Sequence, residues 1–325
     1  MTDMMKAIVA EDGQPLKVAD VERPTPGDHE VLVKVAAAGL NRADLVQRAG
    51  KYPPPPGASD IMGLECSGTV ESVGAKVTKW KEGDKVCALL AGGGYAEFAA
   101  IDEGSLLPVP ANLSLLEAAA LPEAMMTVYA NIFMRCAFKA GESILIHGGT
   151  SGIGSMAIQM VKAAGASDIW TTAGTDEKCE AARGFGATRA INYKTEAFEA
   201  IVSDGGGADV TLDMVGGDYV QKNISAAKVN GRICNIAYLN GPKVELNLMP
   251  LMLKRLILTG TTLRARPVSE KSDIRAAIEE KFWPLVGSGD IKPVIDETYG
   301  FDQAEAAQAA LSKGGHIGKL LLDLS

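Results

Sequence analysis

Cysteine is scarce and poorly placed for any shared task. The chain has five, at 66, 87, 136, 179 and 234, and no two have Cys-x-x-Cys spacing. Neither a structural zinc site nor a disulfide framework is indicated by an odd, scattered set of this kind. Reduced, mostly buried thiols in a cytoplasmic protein are the expectation. An uninterrupted apolar run of the roughly 18 residues needed for a membrane span is also missing. No basic-then-apolar leader is expected, since residues 1–10 are short and mixed. Positive charge is in deficit, with 32 Lys and Arg against 40 Asp and Glu, a net charge of −8. Such a balance argues against nucleic acid or an anionic membrane as a partner. Internal repeats are absent, and the proline run 53–56 is the only low-complexity tract.

What is present centres on His147-Gly148-Gly149-Thr150-Ser151-Gly152-Ile153-Gly154. It follows an apolar, strand-like run at 143–146 and precedes a small-residue helix at 155–164. Strand, glycine turn and helix together hold a pyrophosphate on backbone N–H groups at a helix N-terminus. Glycine is needed where backbone approaches phosphate oxygens and where helix packs on strand. Rival motifs fail on single residues. Gly149 and Gly154 have P-loop spacing, but Ser155-Met156 stand where Lys-Ser/Thr is required. Ser151 is no nucleophile elbow, because Ile153 replaces the second glycine. None of the seven tyrosines has a lysine four residues later, which excludes a Tyr-x-x-x-Lys reductase. About twenty residues beyond the turn, the second strand of such a unit ends beside the adenine ribose, usually in Asp or Glu. Here it ends in Gly174-Thr175. The usual 2′-hydroxyl acceptor is gone and a 2′-phosphate has room, so NADPH is the expected cofactor.

The texture of the chain changes twice. Residues 1–122 carry short alternating runs at 31–35, 69–73 and 95–99 between Gly- and Pro-rich turns, which reads as an antiparallel barrel-like β domain. Residues 123–262 alternate strands (143–147, 168–173, 188–192, 208–213, 231–237, 255–261) with helices (152–165, 176–185, 195–203, 217–228). This order fits a doubly wound parallel sheet. Residues 263–325 look helical at 272–286 and 302–312 and strand-like at 319–323, and are too few to stand alone. We expect them to rejoin the first domain, making the cofactor domain an insertion and the cleft between domains the natural active site.

This layout resembles the medium-chain dehydrogenase/reductase superfamily, and particular residues point to its metal-free quinone oxidoreductase branch. The resemblance covers essentially the whole chain. It rests on the stretch from Asn41 through Tyr52-Pro53-Pro54-Pro55, on Gly92-Gly93-Gly94-Tyr95-Ala96-Glu97, on 147–154, on Thr172-Ala173-Gly174, on Ile191-Asn192-Tyr193 and on Gly260-Thr261-Thr262-Leu263-Arg264. The proline run and the His-Gly-Gly-Thr-Ser-Gly turn look most like the stress-inducible NADPH quinone oxidoreductase subgroup. Zinc members carry Cys and Gly-His-Glu near the substrate. The matching residues here are Asn41 and Gly63-Leu64-Glu65, and a zinc ion needs about three N, S or carboxylate ligands. The fold implied is a doubly wound Rossmann sheet inserted in a GroES-like β-barrel catalytic domain. The activity implied is metal-independent reduction of quinones by NADPH. Alternatives are an NADPH-dependent enone reductase on the same scaffold, or an NADPH-binding sensor or structural protein with slow turnover.

The same resemblance assigns residues. Lys178 and Tyr193 would hold the 2′-phosphate with help from Thr175, although Lys178 also reads as a helix lysine paired with Asp176 or Glu177. Thr127, Ser151, Gly152, Ile153, Gly174 and Leu263 complete the cofactor set. Asn41 and Tyr52 would flank the nicotinamide, Asn41 bonding an acceptor oxygen and Tyr52 covering the substrate or donating a proton. Their plain readings are a turn asparagine and a tyrosine stacked on prolines. Glu65 is expected to position backbone or Arg264, His147 to be a satisfied core histidine, and Cys66 to pack. Leu45-Val46 replace a second pocket tyrosine found in some relatives, which implies a wider, more apolar pocket. The expected partners are a small quinone or enone and a second copy of the chain, as a homodimer or dimer of dimers paired through the apolar run 256–263.

Overall fold

The run Glu-Val-Leu-Val-Lys-Val at 30–35 opens the longest strand of the first unit, Glu30–Gly39. Its β-branched residues suit a pleated surface covered on both faces. The computed structural model describes residues 3–11 and 14–325. The chain divides into one unit of residues 1–126 with 263–325 and another of residues 127–262. In the first, a sheet runs in the order Ile295–Gly300, Lys319–Asp323, Glu30–Gly39, Glu65–Val73, Lys85–Leu89, Leu106–Pro108, and Phe98–Asp102 adds to Glu30–Gly39. All pairings are antiparallel except that of Ile295–Gly300 with Lys319–Asp323. Val31, Val33, Val35, Val70, Val86 and Leu106 form a core on this sheet, each buried side chain worth about 1.5–3 kcal/mol. Met4–Val9 and Lys17–Glu22 make a separate hairpin-like pair.

One expectation needs correction in this unit, and one strand was not expected. The run at 95–99 is not a strand: Phe98–Asp102 is, and residues 95–97 keep only one bridge, Ala7 to Ala96. The cause is the preceding Gly92-Gly93, at φ 152° and 95°, which turns Tyr95 into the core, where it is fully buried. The strand at residues 4–9 was hidden because Lys6 is its only polar residue, so no alternation shows.

The second unit has six parallel strands: Ile144–Ile146, Ile169–Ala173, Arg189–Asn192, Ala208–Asp213, Ala227–Asn235 and Ile257–Gly260. Numbered along the chain, their order across the sheet is third, second, first, fourth, fifth, sixth. This is the expected doubly wound sheet, and its order reverses between the first and fourth strands. Helices Gly152–Ala163, Asp176–Phe185, Phe198–Asp204 and Tyr219–Ala226 connect the strands. The fifth strand starts four residues before the expected 231. Asn230-Gly231 reads as a turn, but the strand absorbs it, with Asn230 at φ 64° and a register shift against the fourth strand. Among the described residues no helix is long and apolar enough to cross a membrane.

Candidate functional site

In the second unit the glycine turn is built as its sequence requires. His147 N–H still donates to Leu212 O at 3.1 Å, and the chain then leaves the sheet through Gly148 at φ 68°. Ser151 caps the helix Gly152–Ala163, its side chain accepting Gly154 N–H at 2.9 Å. The N–H groups of Gly152 and Ile153 precede the intrahelical ladder and stay available to an anion. Ser151, Gly152 and Ile153 are all part-exposed. A Cβ on Gly154 would lie 2.2 Å from Gly148 O, and one on Gly149 would lie 2.0 Å from Thr171 Oγ1. Only glycine leaves this cradle open, and its donor set fits a pyrophosphate.

The second strand ends at Ala173, and Thr175 caps the following helix by accepting Lys178 N–H at 3.2 Å. Tyr193 N–H donates to Ala173 O at 3.1 Å. A Cβ on Gly174 would meet Tyr193 Oη at 2.8 Å, so the phenol lies directly over this glycine. Gly174, Thr175 and Tyr193 are therefore brought together, with Lys178 on the adjacent first helical turn. Asp176 is turned away, accepting Asn192 Nδ2 at 2.8 Å. Thr127 is buried, its carbonyl accepting Asn131 Nδ2 at 2.8 Å. Leu263 is also buried but belongs to the first unit, where its carbonyl accepts Arg266 N–H at 3.1 Å.

In the first unit, Asn41 precedes the helix Arg42–Arg48 and its amide is fully engaged. Oδ1 accepts from Lys319 Nζ at 2.8 Å, while Nδ2 donates to Glu65 Oε1 at 3.0 Å and to Gly39 O at 3.3 Å. Swapping O and N would set donor against donor and acceptor against acceptor, so the orientation is fixed. Glu65 is wholly buried and pairs with Lys319; of its two expected roles it takes the one of positioning backbone and does not meet Arg264. Its other oxygen accepts Glu123 N–H at 2.9 Å. Lys319 also donates to Leu40 O at 3.0 Å. Gly39 makes this possible, because a Cβ there would lie 2.2 Å from Glu65 Oε1.

Asp44 is buried beneath Asn41, accepting its N–H at 2.7 Å and the Tyr95 hydroxyl at 2.8 Å. Burial still pushes the Asp44 carboxyl up to about 6. Burial likewise pushes Cys66 up to about 12, so it is a packed thiol. Tyr52 is held by Arg264, whose Nη1 donates to Tyr52 O at 3.0 Å and whose Nε donates to Ala91 O at 2.7 Å. The guanidinium carbon stands 5.3 Å from the Tyr52 ring centroid, within cation–π range. Burial first, then the Glu123 charge, raises the Tyr52 phenol above its usual pKa, with Arg264 opposing. Leu45 packs against the core, and Val46 is more exposed. Sequence reading missed Lys319 and offered Arg264 as an alternative partner of Glu65, where it instead holds Tyr52 O and Ala91 O. The available signal was a lysine at the head of the otherwise apolar Lys-Leu-Leu-Leu strand.

The family profile described as Alcohol dehydrogenase GroES-like domain matches residues 27–111, and the one described as Zinc-binding dehydrogenase matches residues 152–281. The quinone oxidoreductase of Mus musculus is 32% identical over 98% of both chains. The chain belongs to the quinone oxidoreductase branch of the medium-chain dehydrogenase/reductase superfamily. The Homo sapiens quinone oxidoreductase is 30% identical, again over 98% of both chains. Among solved structures, a quinone oxidoreductase of Pseudomonas syringae pv. Tomato DC3000 superposes with TM-score 0.84 at 29% identity over 100% of both chains. An NAD-dependent alcohol dehydrogenase superposes with TM-score 0.85 at 28% identity, over 99% of this chain and 100% of that one. The zinc in the profile's description does not fit the residues of this branch member. Asn41 and Glu65 are committed to Lys319, and Leu64 is a buried hydrocarbon. Among the described residues no group of three or more His, Cys, Asp or Glu is arranged to hold a metal ion.

Proposed function

We propose that this chain is an NADPH-dependent quinone oxidoreductase that works without a metal, as a cytoplasmic homodimer. The observation that carries the cofactor reading is the end of the second strand. It offers glycine, a threonine hydroxyl, a lysine and the Tyr193 phenol where an acidic residue would select NADH. A phosphate with nearly two charges suits a cation and two hydroxyls. The N–H groups of Gly152 and Ile153, with Ser151 fixing their direction, take the pyrophosphate. Gly174, Thr175, Lys178 and Tyr193 take the 2′-phosphate, and Thr127 and Leu263 complete the cofactor contacts.

When bound, the nicotinamide supplies the reducing equivalents. Tyr52 is the substrate-side group: its ring covers a flat acceptor, and its neutral phenol donates to the acceptor oxygen as charge builds there. Asn41 has no amide hydrogen to spare, and its role is to hold the Lys319–Glu65 pair in place. Quinones and α,β-unsaturated carbonyls accept electrons without a Lewis acid, which suits a site where a lysine occupies the oxygens a metal would need.

The test is turnover with NADPH and NADH against a panel of quinones and enones, before and after exhaustive chelation. We expect a preference for NADPH of about ten- to a hundredfold, quinones reduced faster than enones, and full activity after chelation. Lys178→Ala is expected to weaken NADPH and leave NADH nearly unchanged. Equal losses for both cofactors would remove Lys178 from the phosphate site. Loss of activity on chelation with recovery on adding zinc would end the metal-free reading.

A further inference from the structure

His147 follows the first strand, Ile144–Ile146, and opens the glycine turn. Its ring is fully buried, edge-on to Phe198 and Tyr219 with centroids 4.8 Å away from each. Burial drives its pKa down, against the pull of Asp213 and Asn223, so the ring is neutral. A neutral imidazole has one donor and one acceptor nitrogen, and the neighbours decide which is which. Asn223 Nδ2 donates to Asp213 Oδ2 at 3.0 Å, which leaves Asn223 Oδ1 as an acceptor 2.7 Å from His147 Nε2. Nε2 therefore carries the proton, and Nδ1 accepts. Thr172 Oγ1 stands 3.0 Å from Nδ1, so the threonine hydroxyl donates to the ring. That leaves the Thr172 oxygen to accept Gly148 N–H at 3.3 Å.

The polar chain has one direction throughout, from Gly148 through Thr172, His147 and Asn223 to Asp213. Asp213 in turn accepts Val215 N–H at 2.7 Å, Gly216 N–H at 3.1 Å and Asn235 Nδ2 at 2.9 Å. It thus ties the turn after the first strand to the turn after the fourth. Those are the two turns that flank the reversal of strand order, where a doubly wound sheet binds its ligand. We propose that His147 is a positioning residue for the dinucleotide, fixing the glycine turn through Thr172 and the Asp213 turn through Asn223.

This inference rests on the dinucleotide reading above, and the test separates the two. His147→Asn sets an amide oxygen near the Nδ1 position and keeps the acceptor for Thr172. His147→Gln reaches Asn223 with an N–H and deserts Thr172. Thr172→Val removes the hydroxyl, and Thr172→Ser restores it. NADPH affinity of each full-length protein is measured by fluorescence titration, beside its melting temperature. We expect His147→Gln and Thr172→Val each to weaken NADPH about fivefold or more. His147→Asn and Thr172→Ser should recover most of that loss. A ring with only a packing role would lower the melting temperature and leave the affinity of the folded protein unchanged in all four. Independently of any variant, ¹⁵N spectra of the imidazole in the cofactor-free wild type should show the Nε2–H tautomer. A proton on Nδ1 would overturn the proposal. Wild type that binds neither NADPH nor NADH would overturn both readings, whereas normal wild-type binding with unaffected His147→Gln and Thr172→Val would overturn this one alone.

Discussion

Lys319 has three N–H donors and three oxygens to receive them, from Leu40, Asn41 and Glu65. A buried ammonium so completely partnered is costly to remove but has nothing left for a substrate. In the proposed function, substrate contact therefore falls to Tyr52. Tyr52→Phe should lower kcat about ten- to a hundredfold with NADPH binding unchanged if the phenol donates to developing charge. If only the ring matters, Phe will be nearly silent and Tyr52→Ala will raise KM. Full activity of both variants on several quinones would take Tyr52 out of the site. Asp44 makes a second prediction. Its folded-state pKa, about 6, lies above the ordinary 3.8, so the folded protein holds this proton more tightly than the unfolded chain. Asp44 therefore costs nothing below pH 4, and its cost grows as pH rises to 6, reaching roughly 3 kcal/mol at neutral pH. Asp44→Asn escapes that cost. In urea unfolding at pH 4 and pH 7, stability of the variant relative to wild type should rise with pH, and a constant gap would refute the assignment. At this scale the sequence was informative where chemistry is local. Gly149 and Gly154 were readable as close approaches. The partners of Glu65 and Arg264 were not, because each is chosen by strand register across distant parts of the chain.

At the scale of elements, the helix Gly152–Ala163 is the one that the pyrophosphate reading depends on. Propensity alone would favour alanine over glycine in a helix by about 1 kcal/mol. Packing reverses the sign at Gly154, where the added carbon would meet Gly148 O at 2.2 Å, backbone against backbone. Gly154→Ala should lose tenfold or more in NADPH affinity and melt lower. Gly184→Ala is the control: nothing lies within 4 Å of its Cβ position in the helix Asp176–Phe185, so it should gain about 0.5–1 kcal/mol. Equal behaviour of the two variants would show that the turn is not closely packed. The helix Asp176–Phe185 was legible to the residue, since Thr175 caps it and Gly186 ends it. The short helix Met249–Leu253 was not, because Met249, Met252 and Leu253 face outward and only Leu251 packs inward, which gives no two-faced pattern.

At the scale of the whole molecule, the sixth strand leaves one edge of the parallel sheet without a neighbour among the described residues. Ile257 is 56% exposed on it, and Met252 and Leu253 nearby are 62% and 65% exposed. Open backbone donors beside apolar side chains invite pairing with a second copy. Light scattering at micromolar concentration should give a dimer or a multiple of it, and Ile257→Asp should shift it toward monomer. A monomeric wild type would contradict the proposal. The alternation of strands and helices made the fold class of the second unit readable. The first unit was harder, because its strands pair over long separations that no local pattern encodes. One contact over such a separation has a consequence for how the protein is made. Asn41 and Lys319 are 278 positions apart in sequence. At about 5–20 residues per second, a ribosome needs roughly a quarter of a minute to a minute to bridge them. For that interval Glu65 has no ammonium to neutralise it, and the sheet that should bury it cannot close. The segment around Glu65 is thus among the last to mature, and a message cut short before codon 319 yields a protein whose first unit stays unsealed.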